Sequence, residues 1–152
     1  MSYKFESNGI VVEFDDNSPE VLRALENAVN RGLKACGETA VGYAQDELKR
    51  QLKKVHGEND YVATGNLLGS ISYEVDGDDC YIGTNVEYAI YVEFGTGIHA
   101  EEGGRQTPWV YKDDQGHWHR TEGQKPKPFI RPSASNHSDE YRSILEDSLK
   151  NA

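Results

Sequence analysis

Three histidines, His99, His117 and His119, are the residues of this chain best suited to bear chemistry, because neutral imidazole is the commonest metal ligand near pH 7. His117 and His119 stand two apart, so on a strand both point to one side. With His99 they would form the nitrogen set of a metal-dependent hydrolase. The spacing supplies neither a further fixed ligand nor a paired acid, so a polar hairpin face is the simpler reading. Gly95-Thr96-Gly97 looks like part of a nucleotide loop. It lacks the GxGxxG spacing and the Gly-Lys-Ser/Thr ending that cradle phosphate, and glycines after Phe94 more simply end a helix. No Gly-x-Ser-x-Gly elbow or His-Glu-x-x-His pair occurs. With 26 Asp and Glu among 152 residues, two carboxylates a few positions apart carry no information. Cys36 and Cys80 read as small buried hydrophobes, with no CxxC pattern to suggest redox chemistry or zinc. The residues predict no catalytic centre, no cofactor and no resident metal.

A different group of residues suits recognition. Trp109, Tyr111, Trp118 and Arg120 fall within a segment rich in Gly, Thr, Glu and His, from Gly95 to Lys125. Trp, Tyr and Arg dominate the energetics of protein interfaces. These four are therefore the candidate subunit or partner interface. The competing reading is that either Trp merely covers a sheet, since Trp is mostly buried in folded proteins.

The formal net charge is −10. Wrapping nucleic acid from outside needs clustered Lys and Arg. Only Lys49-Arg50 with Lys53-Lys54, and Lys125 with Lys127, come close, and the first group reads as a solvated helix end. No sequence-specific nucleic-acid binding is expected. An acidic wall suits a passage along which DNA must slide without sticking. Met1-Ser2-Tyr3-Lys4-Phe5-Glu6 is unlike a secretion signal. No apolar run approaches the roughly 20 residues that span a bilayer. The expected setting is cytosol, or a particle assembled there.

The elements that would position these residues are legible in outline. Gly9 to Phe14 reads as a strand, and Ser18-Pro19-Glu20 as a helix start with Ser as N-cap. Val21, Leu22, Leu25, Val29, Leu33, Cys36, Ala40, Tyr43, Ala44, Leu48, Leu52 and Val55 then form one apolar stripe at three- and four-residue steps. The stripe predicts a helix of roughly 37 residues, about 55 Å long. Gly32, Gly37 and Gly42 interrupt it, either as a bend or as places where another element packs closely. His56 to Asp60 reads as a loop and Thr64 to Ser70 as a helical turn. Ser70–Val75 and Cys80–Thr84 read as a hairpin about Asp76–Asp79. Tyr88 to Phe94 has aromatic residues three apart, as on a short helix. Trp109–Lys112 and His117–Arg120 make a second hairpin about Asp113–Gly116, projecting on Gly-rich, mobile ends. Lys125 to Pro132 is a proline-stiffened strand, and Asp139 to Lys150 a closing helix.

Three blocks together carry a family likeness. They are Ala63-Thr64-Gly65-Asn66-Leu67-Leu68-Gly69-Ser70-Ile71, the run from Tyr81 through Gly-Thr-Asn-Val-Glu-Tyr-Ala-Ile-Tyr-Val-Glu-Phe to Gly95-Thr96-Gly97, and Lys127-Pro128-Phe129-Ile130-Arg131-Pro132. In this order the chain resembles the head–tail joining and tail-completion (minor tail component, neck) proteins of siphophages and prophages, typified by the tenth structural gene product of a lambdoid coliphage. The resemblance covers about Ala63 to Pro132. It implies a non-catalytic virion protein that forms a ring around the DNA passage, with neck and tail-tube proteins as neighbours. It implies location in the virion neck or tail, and in host cytoplasm during assembly.

Within the blocks, Thr64 would cap the following turn and Gly65 would permit a sharp approach to it. Leu67 would belong to the same scaffold. Gly83 would close a strand. Tyr88, Tyr91 and Phe94 would bury against the long helix, with Gly95 ending their turn. Phe129 would anchor the last strand and Pro132 would begin the C-terminal helix. The expectation is one α+β domain spanning 1–152: a long N-terminal helix on a mostly antiparallel sheet, a projecting hairpin insertion at 95–125 and a C-terminal helix. Two other classes compete. One is a small acidic binding or regulatory protein of a mobile element that recognises a basic host partner; the other is a His-based metal-dependent hydrolase.

Overall fold

The computed structural model describes residues 2–56, 61–101 and 106–152, without the side chains of 53–56 and 61–64. The side chains of Lys53, Lys54, Val55 and Thr64 therefore lie outside the described set, while the backbone of the long helix is described to His56.

The chain opens with a hairpin rather than a lone strand. β1 (Ser2–Ser7) pairs antiparallel with β2 (Ile10–Asp15), with Phe5 opposite Val12. The turn is Asn8-Gly9, both at positive φ, 49° and 77°, the conformation that a tight two-residue hairpin demands. Asp16 then accepts the Ser18 N–H at 3.0 Å, and the Asn17 carbonyl accepts the N–H groups of Glu20 and Val21. α1 runs from there without a break, Ser18–His56.

α1 is the spine, and its small residues decide where other elements land. Ala28, Leu33, Cys36, Ala40, Ala44 and Leu48 are buried along one stripe. Its first docking station takes the closing helix α5 (Ser138–Lys150). There a Cβ on Gly32 would lie 2.8 Å from Leu145 Cδ2, and the Ser148 hydroxyl donates to the Ala28 carbonyl at 2.6 Å. The second takes the hairpin of β3 (Ser72–Asp76) and β4 (Asp79–Gly83). Here a Cβ on Gly37 would fall 2.4 Å from the Tyr73 ring. The interrupting glycines at 32 and 37 thus mark close approach; Gly42 faces open space.

The third station holds the main core. Ala44 and Leu48 pack with Leu67 and Ile71, with Ala89, and with Phe129, which is fully buried. Leu67 comes from α2 (Tyr61–Ser70), Ala89 from α3 (Ala89–Phe94), and Phe129 immediately precedes α4 (Ile130–Ser135). β5 (Trp109–Lys112) and β6 (Trp118–Thr121) form the third hairpin. The fold is α+β as the patterning implies. Among the described residues the strands form three separate two-stranded pairs, not one sheet. No helix among the described residues is long and apolar enough to cross a membrane.

Several sequence expectations are corrected. Positions 64 and 65 lie inside α2 instead of before it, so Gly65 opens no turn and position 64 is not the N-cap position. Tyr88, Tyr91 and Phe94 do not bury against α1: Tyr91 is 59% exposed, and the buried members of α3 are Ala89 and Glu93. On so short a helix only one side faces the core. The i, i+4 pair Ala89 and Glu93 holds that side, so the aromatics face away. Pro132 lies in the first turn of α4, a separate short helix, and Asn136–His137 links it to α5. The run before it is extended but pairs with no strand by ladder hydrogen bonds.

Candidate subunit interface and its support

Glu93 is the organising residue of the insertion, and it is a buried carboxylate, 5% exposed. One of its oxygens accepts the backbone N–H groups of Phe129 and Ile130 at 2.7 and 3.0 Å. The other accepts the Arg131 N–H at 3.1 Å and Arg131 Nε at 2.9 Å. The first N–H groups of a helix have no partner within it, and Glu93 supplies one to α4 from 36 residues and more away. Arg131 extends the link. Its guanidinium lies 4.6 Å above the Phe94 ring and makes a two-pronged pair with Glu101, at 2.8 and 3.0 Å. Phe94 is thus a shelf for Arg131, which explains its half-exposed position. The Arg131 guanidinium holds the Glu101 carboxyl below the usual glutamate range.

Glycine makes this junction tight. The Thr96 N–H donates to the Gln124 carbonyl at 2.9 Å, Ile98 N–H to Glu122 at 3.0 Å, and Lys127 N–H to Val92 at 2.8 Å. At the crossing a Cβ on Gly97 would meet the Glu122 oxygen at 2.2 Å, and one on Gly123 the Thr96 oxygen at 2.1 Å. Both glycines also hold positive φ. The ends of the insertion are therefore clamped backbone to backbone, in place of the mobile ends expected from composition. The glycines of Gly95-Thr96-Gly97 admit the facing chain, a different use from cradling phosphate.

From this clamp the β5–β6 hairpin carries the four residues picked out as an interface. The register places Val110, Lys112, Trp118 and Arg120 on one face, and Trp109, Tyr111, His119 and Thr121 on the other. The structure therefore divides the four. Trp118 and Arg120 share a face, with Trp118 69% exposed and the Lys112 ammonium 5.9 Å from its ring. Trp109 is half-buried at the root, beside the crossing at Gly97, and Tyr111 stacks on His119. Of the two Trp residues, only the one at the root covers the body. An open groove lined by Pro108, Trp109, Val110 and Arg120 lies at the root of the hairpin.

His117 and His119 are both directed at Asp113, at 3.4 and 2.8 Å from the same oxygen. The other Asp113 oxygen accepts the N–H groups of Gln115 and His117 at 3.0 and 2.8 Å. Asp113 therefore builds the turn, and its carboxyl is held below the usual range chiefly by His119. His99 ends the short turn Gly97–His99. Among the described residues no group of three or more His, Cys, Asp and Glu is arranged for a metal ion. The imidazoles are spent on a carboxylate that is itself occupied. Cys36 is buried and Cys80 half-buried, and burial raises both thiols above the ordinary range.

A second concavity lies between α1 and the α4–α5 corner, lined in part by Tyr43, Arg50, Ser133 and His137. Its volume is about 160 Å³, below the roughly 300 Å³ at which small-molecule sites begin. Tyr43 fills its wall by stacking on His137 at 3.5 Å and donating to Glu140.

Sequence reasoning missed Glu93 and the β1–β2 hairpin. An acid four residues after Ala89 in an apolar run was a signal for the first, and Asn8-Gly9 between alternating apolar residues was a stronger one for the second. No family model, curated protein or solved structure matches the chain.

Proposed function

We propose that this chain is a structural, non-catalytic component of a phage head–tail junction, acting as one copy in a ring that joins neck to tail around the DNA passage. The observation that carries the reading is where the large apolar residues lie. Many of the exposed ones sit on two hairpins, Phe5, Ile10, Val12 and Phe14 on the first and Val110, Tyr111 and Trp118 on the second. Grouped exposed apolar residues mark interaction surfaces. Two different sticky surfaces on one chain suit head-to-tail association, which yields a ring when the rotation closes.

Other features support the same reading. The second and third sequence blocks of the phage likeness are locked together through Glu93 and Arg131, so they serve as a scaffold for the projecting hairpin. The net charge of −10 suits a wall that DNA passes without binding. Neck and tail-tube proteins are the expected neighbours, in the virion and, during assembly, in host cytoplasm.

The test is electron microscopy of the purified chain mixed with its neighbouring neck and tail proteins. Annular particles are expected. A tight one-to-one complex with a basic host protein, and no ring, would instead point to a small acidic regulatory protein of a mobile element.

A further inference from the structure

We infer that Asn8 is a site of spontaneous covalent modification: its side-chain amide is hydrolysed by way of the Gly9 nitrogen, and the isoaspartyl product opens the β1–β2 hairpin. The inference does not depend on the ring reading.

The reaction needs an asparagine whose following backbone nitrogen is unobstructed, unpaired and in water. The Gly9 nitrogen gives its proton to solvent base and bonds to Asn8 Cγ. The Cγ–Nδ2 bond breaks, and ammonia leaves from a cyclic imide. Water then opens the ring at either carbonyl. Breaking the bond from the Gly9 nitrogen to Cγ gives aspartate in an ordinary chain. Breaking the bond from that nitrogen to the Asn8 backbone carbonyl leaves the chain running through Cγ, longer by a methylene, with the carboxylate on Cα. The balance is water in and ammonia out, with no electron transfer.

Asn8-Gly9 is the only Asn-Gly pair in the sequence, and glycine obstructs the attack least because it has no Cβ. Local structure sets the pair further apart. Both residues are exposed at positive φ, and nothing lies within 4 Å of where a Gly9 Cβ would stand. The strands pair up to Ser7 and Ile10, and among the described residues neither the Asn8 side chain nor the Gly9 N–H makes a hydrogen bond. At the other described asparagines the next N–H or the side chain is engaged. After Asn17, the Ser18 N–H donates to Asp16 at 3.0 Å; after Asn85, the Val86 N–H donates to Thr84 Oγ1 at 3.1 Å; after Asn151, the Ala152 N–H donates to the Leu149 carbonyl at 3.2 Å. Asn27, Asn30 and Asn66 lie inside α1 and α2, where the helical ladder holds the next N–H. The Asn136 side chain accepts from Ser135 at 3.3 Å.

The product matters because of the turn. A tight two-residue turn demands positive φ at both positions, and its length fixes the register of the strands. An extra backbone methylene at residue 8 breaks both conditions, so Phe5 loses its place opposite Val12. The hairpin has no buried residue to hold it closed, and a lone two-stranded ribbon is marginal in water. The body keeps its own core. The arm therefore has a lifetime set by its turn, shorter than that of the body.

The test ages the folded full-length chain in mildly alkaline buffer and maps it by peptide mass, with an isoaspartyl methyltransferase to label the isoaspartyl product. Conversion of amide to acid is expected at Asn8 ahead of every other asparagine, with the methyl label at the same position. The hairpin's amide signals should be lost by NMR while those of α1 and α5 stay. Freshly made Asn8→Asp has the charge of the product without the extra methylene and should keep the hairpin signals. Conversion at another asparagine first, or at Asn8 only once the chain is unfolded in denaturant, would overturn the site. Unlabelled aspartate alone at position 8, a labelled chain that keeps its hairpin signals, or Asn8→Asp that loses them would overturn the opening of the hairpin by the isoaspartyl link.

Discussion

The insertion depends on one carboxylate. Glu93 is buried and carries three backbone N–H bonds and one side-chain bond. Charge-assisted bonds are roughly twice as strong as neutral ones, and a buried N–H left without its acceptor costs about 1–3 kcal/mol. Glu93→Ala orphans three backbone N–H groups and should therefore lower unfolding stability by about 3 kcal/mol or more, read by denaturant titration. Glu93→Gln keeps acceptor oxygen at only one position and should cost about 1–3 kcal/mol. Glu101 offers the pH readout. Its folded pKa lies below the ordinary value of about 4.3. Its pairing with Arg131 thus contributes above that ordinary value and is lost as pH falls through the lower, folded one. Replacing Arg131 by Lys should move the Glu101 titration upward by NMR, since Lys cannot make the two-pronged contact.

At the scale of elements, small residues on α1 decide the packing. Gly37→Ala sets a methyl group 2.4 Å from the Tyr73 ring, an overpacking that should cost about 1–3 kcal/mol. Gly42→Ala meets nothing within 4 Å and should stabilise the helix by about 0.5–1 kcal/mol. Thermal unfolding of the two variants should thus shift in opposite directions. Leu48→Ala, which opens the shared core of α1, α2 and α3, should cost about 2–5 kcal/mol. The β5–β6 turn answers to Asp113. Asp113→Asn removes the charge that holds His117 and His119, and should broaden amide signals in the hairpin while leaving the body unchanged.

At the scale of the whole molecule, body and arms separate energetically. The body is a spine with three docking stations, and the N-terminal hairpin adds no buried residue to it. Deleting residues 2–15 should leave the unfolding midpoint of the isolated chain nearly unchanged, by calorimetry, while removing its capacity to assemble. A protein that needed the hairpin for folding would lose both. That contrast separates an arm kept for a neighbour from a strand kept for its own core.

The sequence by itself determined the periodic elements. The stripe from Val21 to Leu52, the two later hairpins and the closing helix all follow from local spacing and turn residues, and they stand in the structure within a few residues. The first hairpin reads only as its second strand, although Asn8-Gly9 between apolar residues is a turn signal. Only tertiary structure decided which side of α3 faces inward, because aromatic residues three apart look like a core face until Glu93 finds Phe129, Ile130 and Arg131. It alone decided that the Gly-rich ends are clamped, since glycine permits a loose chain and a close crossing equally well. The bonds that settle both matters join residues 24 to 38 positions apart. Pairings at such range leave no mark on local spacing, so the fold had to form before they could be seen.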